Sequence, residues 1–236
     1  MELFYSENLL LRDTQVFLSK EEGHHLRKVL RKKQGDSIQI TNGKGALADA
    51  VVAGEKSQMV VCDVHSIQHV TPPPERNIHV ALSAIRPNRQ DWAVEKLTEL
   101  GVGSISFFHS QFTSVRAFKA DHLRKIAISA MKQSQQCYLP QISAPVPFSK
   151  WIKLLSNDND QVRLLAHLNN SSESLSQIGR GKQAVVIAIG PEGGFSEEEL
   201  RLAVKNGFTL VRINNHILRT ETAAVIGAAQ IKMSIG

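Results

Sequence analysis

Residues 184–196 limit what this chain can fold into more than any other stretch. Ala184-Val-Val-Ile-Ala-Ile189 is short, apolar and uninterrupted, the pattern of a strand buried on both faces. It runs straight into Gly190-Pro-Glu-Gly-Gly-Phe-Ser196, where Gly190 permits a turn, Pro191 fixes φ, and Gly193 and Gly194 let another molecule approach the backbone. Ser196 with Glu199 forms a capping box, so a helix opens here and runs to about Asn206, with Gly207 as its stop. A strand buried on both sides and passed at once to a helix belongs in a parallel sheet.

The flanking chain repeats the pattern. Strands are expected at 78–84, 104–109, 162–168 and 208–213, with a shorter one near Ile142. Between them fall helices at 91–100, ended by Gly101, and at 121–135, where Leu123, Ile126, Ala127, Ala130 and Met131 share one face. Such alternation implies an α/β fold, a parallel sheet with helices on both sides. Thr71-Pro-Pro-Pro74 is a stiff segment foreign to helices and central strands, so the chain divides into domains at 1–71 and 75–236. Before it, a strand is expected at 16–18, and Ser19 and Glu22 read as a capping box opening a helix through about Leu30. Strands at 37–41, 46–52 and 59–64, with a hairpin turn at Asn42-Gly43, complete a small β-barrel.

A second loop follows the last strand. Asn214 and Asn215 can adopt positive φ and turn the chain without glycine. Thr220 is placed to cap a last helix whose small residues Ala223, Ala224, Gly227, Ala228 and Ala229 allow close packing, against the core or against a partner subunit. Two loops leaving neighbouring strands meet at one sheet edge, where α/β proteins bind small ligands. The first is not one of the commoner phosphate loops, because the Lys-Ser/Thr pair of a P-loop and the Gly-x-Gly-x-x-Gly of a dinucleotide site are absent. Glu192 beside the turn favours a cationic or amide-rich ligand. Arg219 and Glu221 read equally as a solvated first-turn pair and as site residues.

Charge points to an anionic partner. The chain carries a net +6, and residues 20–44 hold seven Lys/Arg against three Asp/Glu. Arg27, Lys28, Arg31, Lys32, Lys33 and Lys44 concentrate positive field on the small N-terminal domain, as RNA binding requires, although a run this short is often only a solvated face. Cys62 and Cys137 lack zinc or disulfide spacing and read as reduced thiols of a cytoplasmic protein. His24-His25 and the His65/His69 pair have no carboxylate or thiol cluster beside them in sequence, so no metal is expected. The N-terminus lacks the features of a signal peptide, and no apolar run reaches membrane-spanning length.

Together, GPEGGFS at 190–196 and ILRTETA at 217–223 resemble the signature of the ribosomal RNA small subunit methyltransferase E family, SPOUT-class enzymes that methylate N3 of a uridine in 16S ribosomal RNA. His24-His-Leu-Arg-Lys-Val-Leu30 with Gly35-Asp36, Glu95-Lys-Leu-Thr-Glu-Leu-Gly-Val102, and Gln133-Ser134 before Pro140 extend the likeness over almost the whole chain. Two departures stand out: Asn214 and His216 replace a usual Gly and Arg, and Lys132 stands where a Glu is commoner. The resemblance implies a PUA-like RNA-binding barrel, a C-terminal trefoil knot, a homodimer with shared active sites, and S-adenosylmethionine as cofactor. It also implies a substrate in the decoding region of the small subunit. It places the cofactor against His167, Gly190, Pro191, Glu192, Gly193, Ile213, Asn214, Ile217, Leu218, Thr222 and Ala223, with Arg219 and Glu221 at the reaction.

Uridine N3 carries a proton and lies on the Watson–Crick edge, so the base must be unpaired or flipped. Losing that proton leaves negative charge on the imide oxygens, which calls for a cation or backbone N–H groups and, in some form, a base. Arg219 suits the first role. Glu221 is a candidate for positioning or proton removal, with water as the alternative. A knotted transfer-RNA methyltransferase and a non-catalytic RNA-binding or ribosome-assembly protein are the competing readings.

Overall fold

The computed structural model describes residues 2–155, 161–168, 173–175 and 184–235. It divides into two compact units, Met1–Pro72 with Ile128–Leu139, and Pro73–Ala127 with Pro140–Gly236.

The first unit is built on five strands, β1 (Leu3–Tyr5), β2 (Gln15–Phe17), β3 (Ser37–Thr41), β4 (Ala46–Lys56) and β5 (Met59–His69), ordered β1-β3-β4-β5-β2. Only the β1–β3 pairing is parallel. Edge strands β1 and β2 do not pair in this order, so the expected barrel is an open sheet by hydrogen bonding. Phe4, Leu18, Leu26, Ile38 and Ile40 are wholly buried between sheet and helix. The β3–β4 turn depends on Gly43 at φ +69, and Asn42 Oδ1 accepts from Lys44 N at 2.8 Å and Ala46 N at 3.2 Å.

The expected helix after Ser19 is α1 (Lys20–His24) continued by a π-helical turn, His25–Val29. Hydrophobic period does not separate the two. Its capping box is only half formed: Ser19 Oγ accepts from Glu22 N at 3.2 Å, but the Glu22 carboxylate accepts from Tyr5 N at 3.2 Å and pairs with Lys132. Glu22 is buried, and a buried carboxylate without a cation is costly. The lysine at position 132 thus has a structural reason in this chain.

The second unit is a seven-stranded, wholly parallel sheet. Its strands are β6 (Ile78–Ser83), β7 (Ser104–His109), β8 (Gln141–Pro147), β9 (Val162–Ala166), β10 (Glu173–Ser174), β11 (Val185–Ile189) and β12 (Thr209–Arg212), ordered β10-β12-β9-β11-β6-β7-β8. Helices α2 (Pro87–Glu99), α3 (Ala120–Gln133, entering the first unit from Ile128), α4 (Phe148–Leu154), α5 (Glu197–Lys205) and α6 (Thr220–Ile235) follow β6, β7, β8, β11 and β12. The period-2 alternation of β11 sorts the layers. Val186 and Ala188 join Phe108, Phe148, Trp151, Phe195 and Leu200 beneath α4 and α5. Ile187 faces the other way, where its Cδ1 lies 3.0 Å from the position a Cβ would take on Gly227 of α6. The small-residue face of α6 therefore packs on its own sheet, where Ala224 and Ala228 are fully buried.

One partly buried polar group sets an acid sensitivity. His79 on β6 meets Ser106 Oγ on β7 at 2.7 Å, and Ser106 Oγ also accepts from Trp151 Nε1 at 2.9 Å, leaving its proton for the imidazole. Burial pushes His79 down from 6.5 to about 4. The unfolded chain therefore binds the proton before the folded one does, so stability falls as pH drops through 6.5 and the loss is complete near 4. This group alone is expected to cost roughly 3 kcal/mol across that window. Denaturant titrations at pH 7 and pH 4 on wild type and His79→Gln would show a smaller acid penalty in the variant, and equal penalties would refute the assignment.

Candidate functional site

Strands β12, β9 and β11 lie side by side, and the loops leaving their C-terminal ends enclose a cavity of about 320 Å³. That size suits a small-molecule site, and the carboxyl edge of a parallel sheet is where such sites form. Ala166, His167 and Leu168 come from the end of β9, and residues 189–195 from the end of β11 and the loop after it. Arg212, Ile213, Asn214, His216, Ile217, Leu218, Thr220 and Ala223 close the third side.

The first loop is a tight turn, Gly194 N donating to the Pro191 carbonyl at 2.9 Å, with Gly194 at φ +74. The expected turning role of Gly190 is not what the geometry requires. Gly190 is needed for space, because a Cβ there would lie 2.8 Å from the Phe195 ring, which stacks with Phe108 at 5.9 Å between centroids. At Gly193 the nearest atom to an added Cβ is Phe112 Cβ, at 3.2 Å. The capping box after the loop is complete: Ser196 Oγ accepts from Glu199 N at 3.3 Å, and Glu199 Oε2 accepts from Ser196 N at 2.9 Å. Glu199 Oε1 also accepts from Gln111 N at 2.8 Å, fixing the neighbouring loop.

The second loop differs from expectation in two respects. Asn214 and Asn215 are not at positive φ; Asn214 Oδ1 accepts from Asn215 N at 2.6 Å, so the side chain holds the turn. Thr220 is the first residue of α6, and its Oγ1 donates to the Gly190 carbonyl at 2.9 Å, tying the second loop to the first instead of capping the helix. Gln230 Nε2 donates to the Ile213 carbonyl at 3.2 Å, securing the strand end from α6.

Of the residues singled out in the sequence, His167, Gly190, Pro191, Glu192, Gly193, Ile213, Asn214, Ile217, Leu218 and Ala223 line the cavity. Thr222 does not, because α6 turns it off the face that carries Thr220 and Ala223. Ala166, Leu168, Ile189, Gly194, Phe195, Arg212, His216 and Thr220 also line it, beyond the contacts expected from the sequence. Arg219 and Glu221 flank the cavity without lining it: Arg219 is exposed, whereas Glu221 is 7% exposed. Glu192 bonds Arg89, which together with Arg219 and Arg86 holds its carboxyl below the usual range. Arg89 Nε also faces Glu221 Oε1 at 3.6 Å.

The basic residues of the first unit are less uniform than their spacing suggested. Arg27 is paired with Glu55 at 2.6 Å and Lys32 with Glu2 at 3.0 Å, while Lys28, Arg31, Lys33 and Lys44 are exposed. Cys62 and Cys137 are buried free thiols, Cys62 pushed up to about 12 by burial. Among the described residues no group of three His, Cys, Asp or Glu side chains could hold a metal, and no helix is long and apolar enough to cross a membrane.

Residues 72–232 match the RNA methyltransferase domain family, and residues 18–61 match the RNA methyltransferase PUA domain. The ribosomal RNA small subunit methyltransferase E of Buchnera aphidicola subsp. Acyrthosiphon pisum is 27% identical over 98% of this chain and 93% of its own. A crystal structure of the Neisseria gonorrhoeae protein of that name, bound to S-adenosyl methionine, superposes with a TM-score of 0.89 at 28% identity, covering 100% of this chain and 98% of that one. The crystal structure of a probable rRNA-methyltransferase from Porphyromonas gingivalis gives a TM-score of 0.90 at 32% identity, covering 99% and 98%.

Proposed function

The chain belongs to the RNA methyltransferase family, and on that premise we propose that it methylates N3 of a uridine in the decoding region of 16S ribosomal RNA, using S-adenosylmethionine. The observation that carries this reading is the cavity at the ends of β9, β11 and β12, built by the two loops whose sequences carry the family likeness.

The residues present fit that cofactor. Ile189, Ile213, Leu218 and Ala223 offer apolar walls for an adenine ring, and backbone groups of both loops border it. His167, Gly190, Pro191, Gly193, Asn214 and Ile217 complete the contact surface. Bound there, S-adenosylmethionine supplies an electrophilic methyl group on a positively charged sulfur. Glu221 takes up the N3 proton, and Arg219 offsets the charge this leaves on the imide oxygens. Holding N3 in line with the methyl carbon supplies much of the remaining rate through orientation.

The first unit is the RNA-holding part. Because Arg27 and Lys32 are already paired, Lys28, Arg31, Lys33 and Lys44 are the residues that contact phosphate. Replacing Lys28, Arg31 and Lys33 with Ala is expected to flatten the dependence of log K on log salt by about 2–3 units. Filter binding from low to moderate salt checks this, and an unchanged slope would make the patch a solvated face. From the family likeness, the second unit is a SPOUT domain with a C-terminal trefoil knot, acting in the cytoplasm as a homodimer.

Mass spectrometry of 16S ribosomal RNA from a strain lacking the gene tests the function. N3-methyluridine should be missing and should return on complementation. Its presence at the wild-type level in the deletion strain would end this reading.

A further inference from the structure

We infer that Arg89 is a positioning residue that clasps the two loops of the site and presents Glu221 to the reacting base; the inference rests on the proposed role of Glu221. Arg89 lies in the first turn of α2, outside both motifs and outside the cavity lining. Its Nη1 donates to Glu192 Oε1 on the first loop, and its Nε faces Glu221 Oε1 at 3.6 Å at the start of α6. One planar guanidinium thereby spans two carboxylates, a geometry that a lysine ammonium does not reproduce.

The clasp is built on a fixed base. Gln90, the next residue, is 2% exposed, and its Nε2 donates to the carbonyls of Ile85 at 2.5 Å and Ala117 at 2.9 Å. Glu221 is unevenly served by comparison. Oε1 has only the long approach to Arg89, and Oε2 is buried without a hydrogen-bond partner among the described residues. Acceptors buried in that state are rare in folded chains, and this one takes a donor only when the residues covering it give way. The N3–H of an extruded uracil is such a donor. Arg89 keeps the carboxylate aimed while the donor is absent, and through Glu192 it ties the loop that borders the cavity to the same frame.

The test compares wild type with Arg89→Ala, Arg89→Lys, Glu221→Gln and the double variant Arg89→Ala/Glu221→Gln, measuring kcat, KM for small-subunit RNA and S-adenosylmethionine affinity. Arg89→Ala is expected to lose about a hundredfold in kcat, the scale of a misplaced catalytic group, with KM for RNA little changed. Arg89→Lys should not restore it, whereas added guanidinium ion should restore part of the activity of Arg89→Ala. The double variant should be no slower than Glu221→Gln alone, because both substitutions remove one device. A double variant slower by the product of the two single losses would overturn the Arg89 inference and leave Glu221 in place. A fully active Glu221→Gln would overturn both roles, and a wild-type protein that methylates no RNA would instead overturn the proposed function. Full activity in Arg89→Lys, or no rescue by guanidinium, would also count against the clasp.

Discussion

Arg219→Ala is expected to lower kcat by about 10²–10³ while leaving S-adenosylmethionine affinity nearly unchanged. The side chain is exposed at the rim, close enough to help hold the Glu192 carboxyl in its charged form, yet it does not line the cavity. It is thus placed to act on what arrives from outside. Developing charge on the uracil oxygens is met by a cation that need not reorganise, and losing such a group slows turnover more than it weakens binding. Single-turnover methylation with saturating RNA, alongside calorimetry with the cofactor, separates the two effects. A variant that turns over normally, or one that fails only in cofactor binding, would remove Arg219 from the chemistry.

Gly190→Val should nearly abolish cofactor binding, weakening it by about a hundredfold or more, on the scale of a displaced binding group. A Cβ at this position lies 2.8 Å from the Phe195 ring, which is held by Phe108 at 5.9 Å and Phe148 at 5.0 Å between centroids. The ring has no easy direction of retreat, so the loop must move instead, and the 2.9 Å bond from Thr220 to the Gly190 carbonyl is lost with it. Overpacking of this kind costs roughly 1–3 kcal/mol, and the thermal midpoint should fall by several degrees. Calorimetry and thermal melting measure the two consequences independently. Unaltered affinity would mean that the loop tolerates displacement and does not shape the cavity.

What could be read from the sequence follows from how far each signal reaches along the chain. The strand, turn and helix from Val185 to Lys205 were legible because each cue, including the Ser196–Glu199 box, lies within a few residues of what it specifies. The parallel sheet followed from repeating that unit. Two short elements escaped: β1 has three residues and α4 seven, too few to establish a period. The small residues of α6 suit a core and a partner equally, and it takes the approach of Ile187 and Ile213 to Gly227 to show packing on the core. Arg89 was invisible for a different reason. Its bonded partner Glu192 lies 103 residues away, and no local pattern encodes an ion pair at that range. The same holds for Glu22, whose sequence neighbours suggested a helix cap while its charge is answered by Lys132.

That pairing bears on how the protein is made. The first unit draws on residues 128–139: Leu139 N donates to the Gly43 carbonyl at 2.8 Å, Tyr138 Oη donates to the Val70 carbonyl at 2.6 Å, and Lys132 neutralises buried Glu22. A ribosome that has finished Pro72 has therefore not yet supplied the parts that complete this unit, and at about 5–20 residues per second it needs several seconds more to do so. During that interval the nascent sheet carries a carboxylate whose counter-charge is still unsynthesised. Evolution consequently cannot transplant residues 1–72 as a free-standing cassette without also transplanting the later segment or neutralising Glu22.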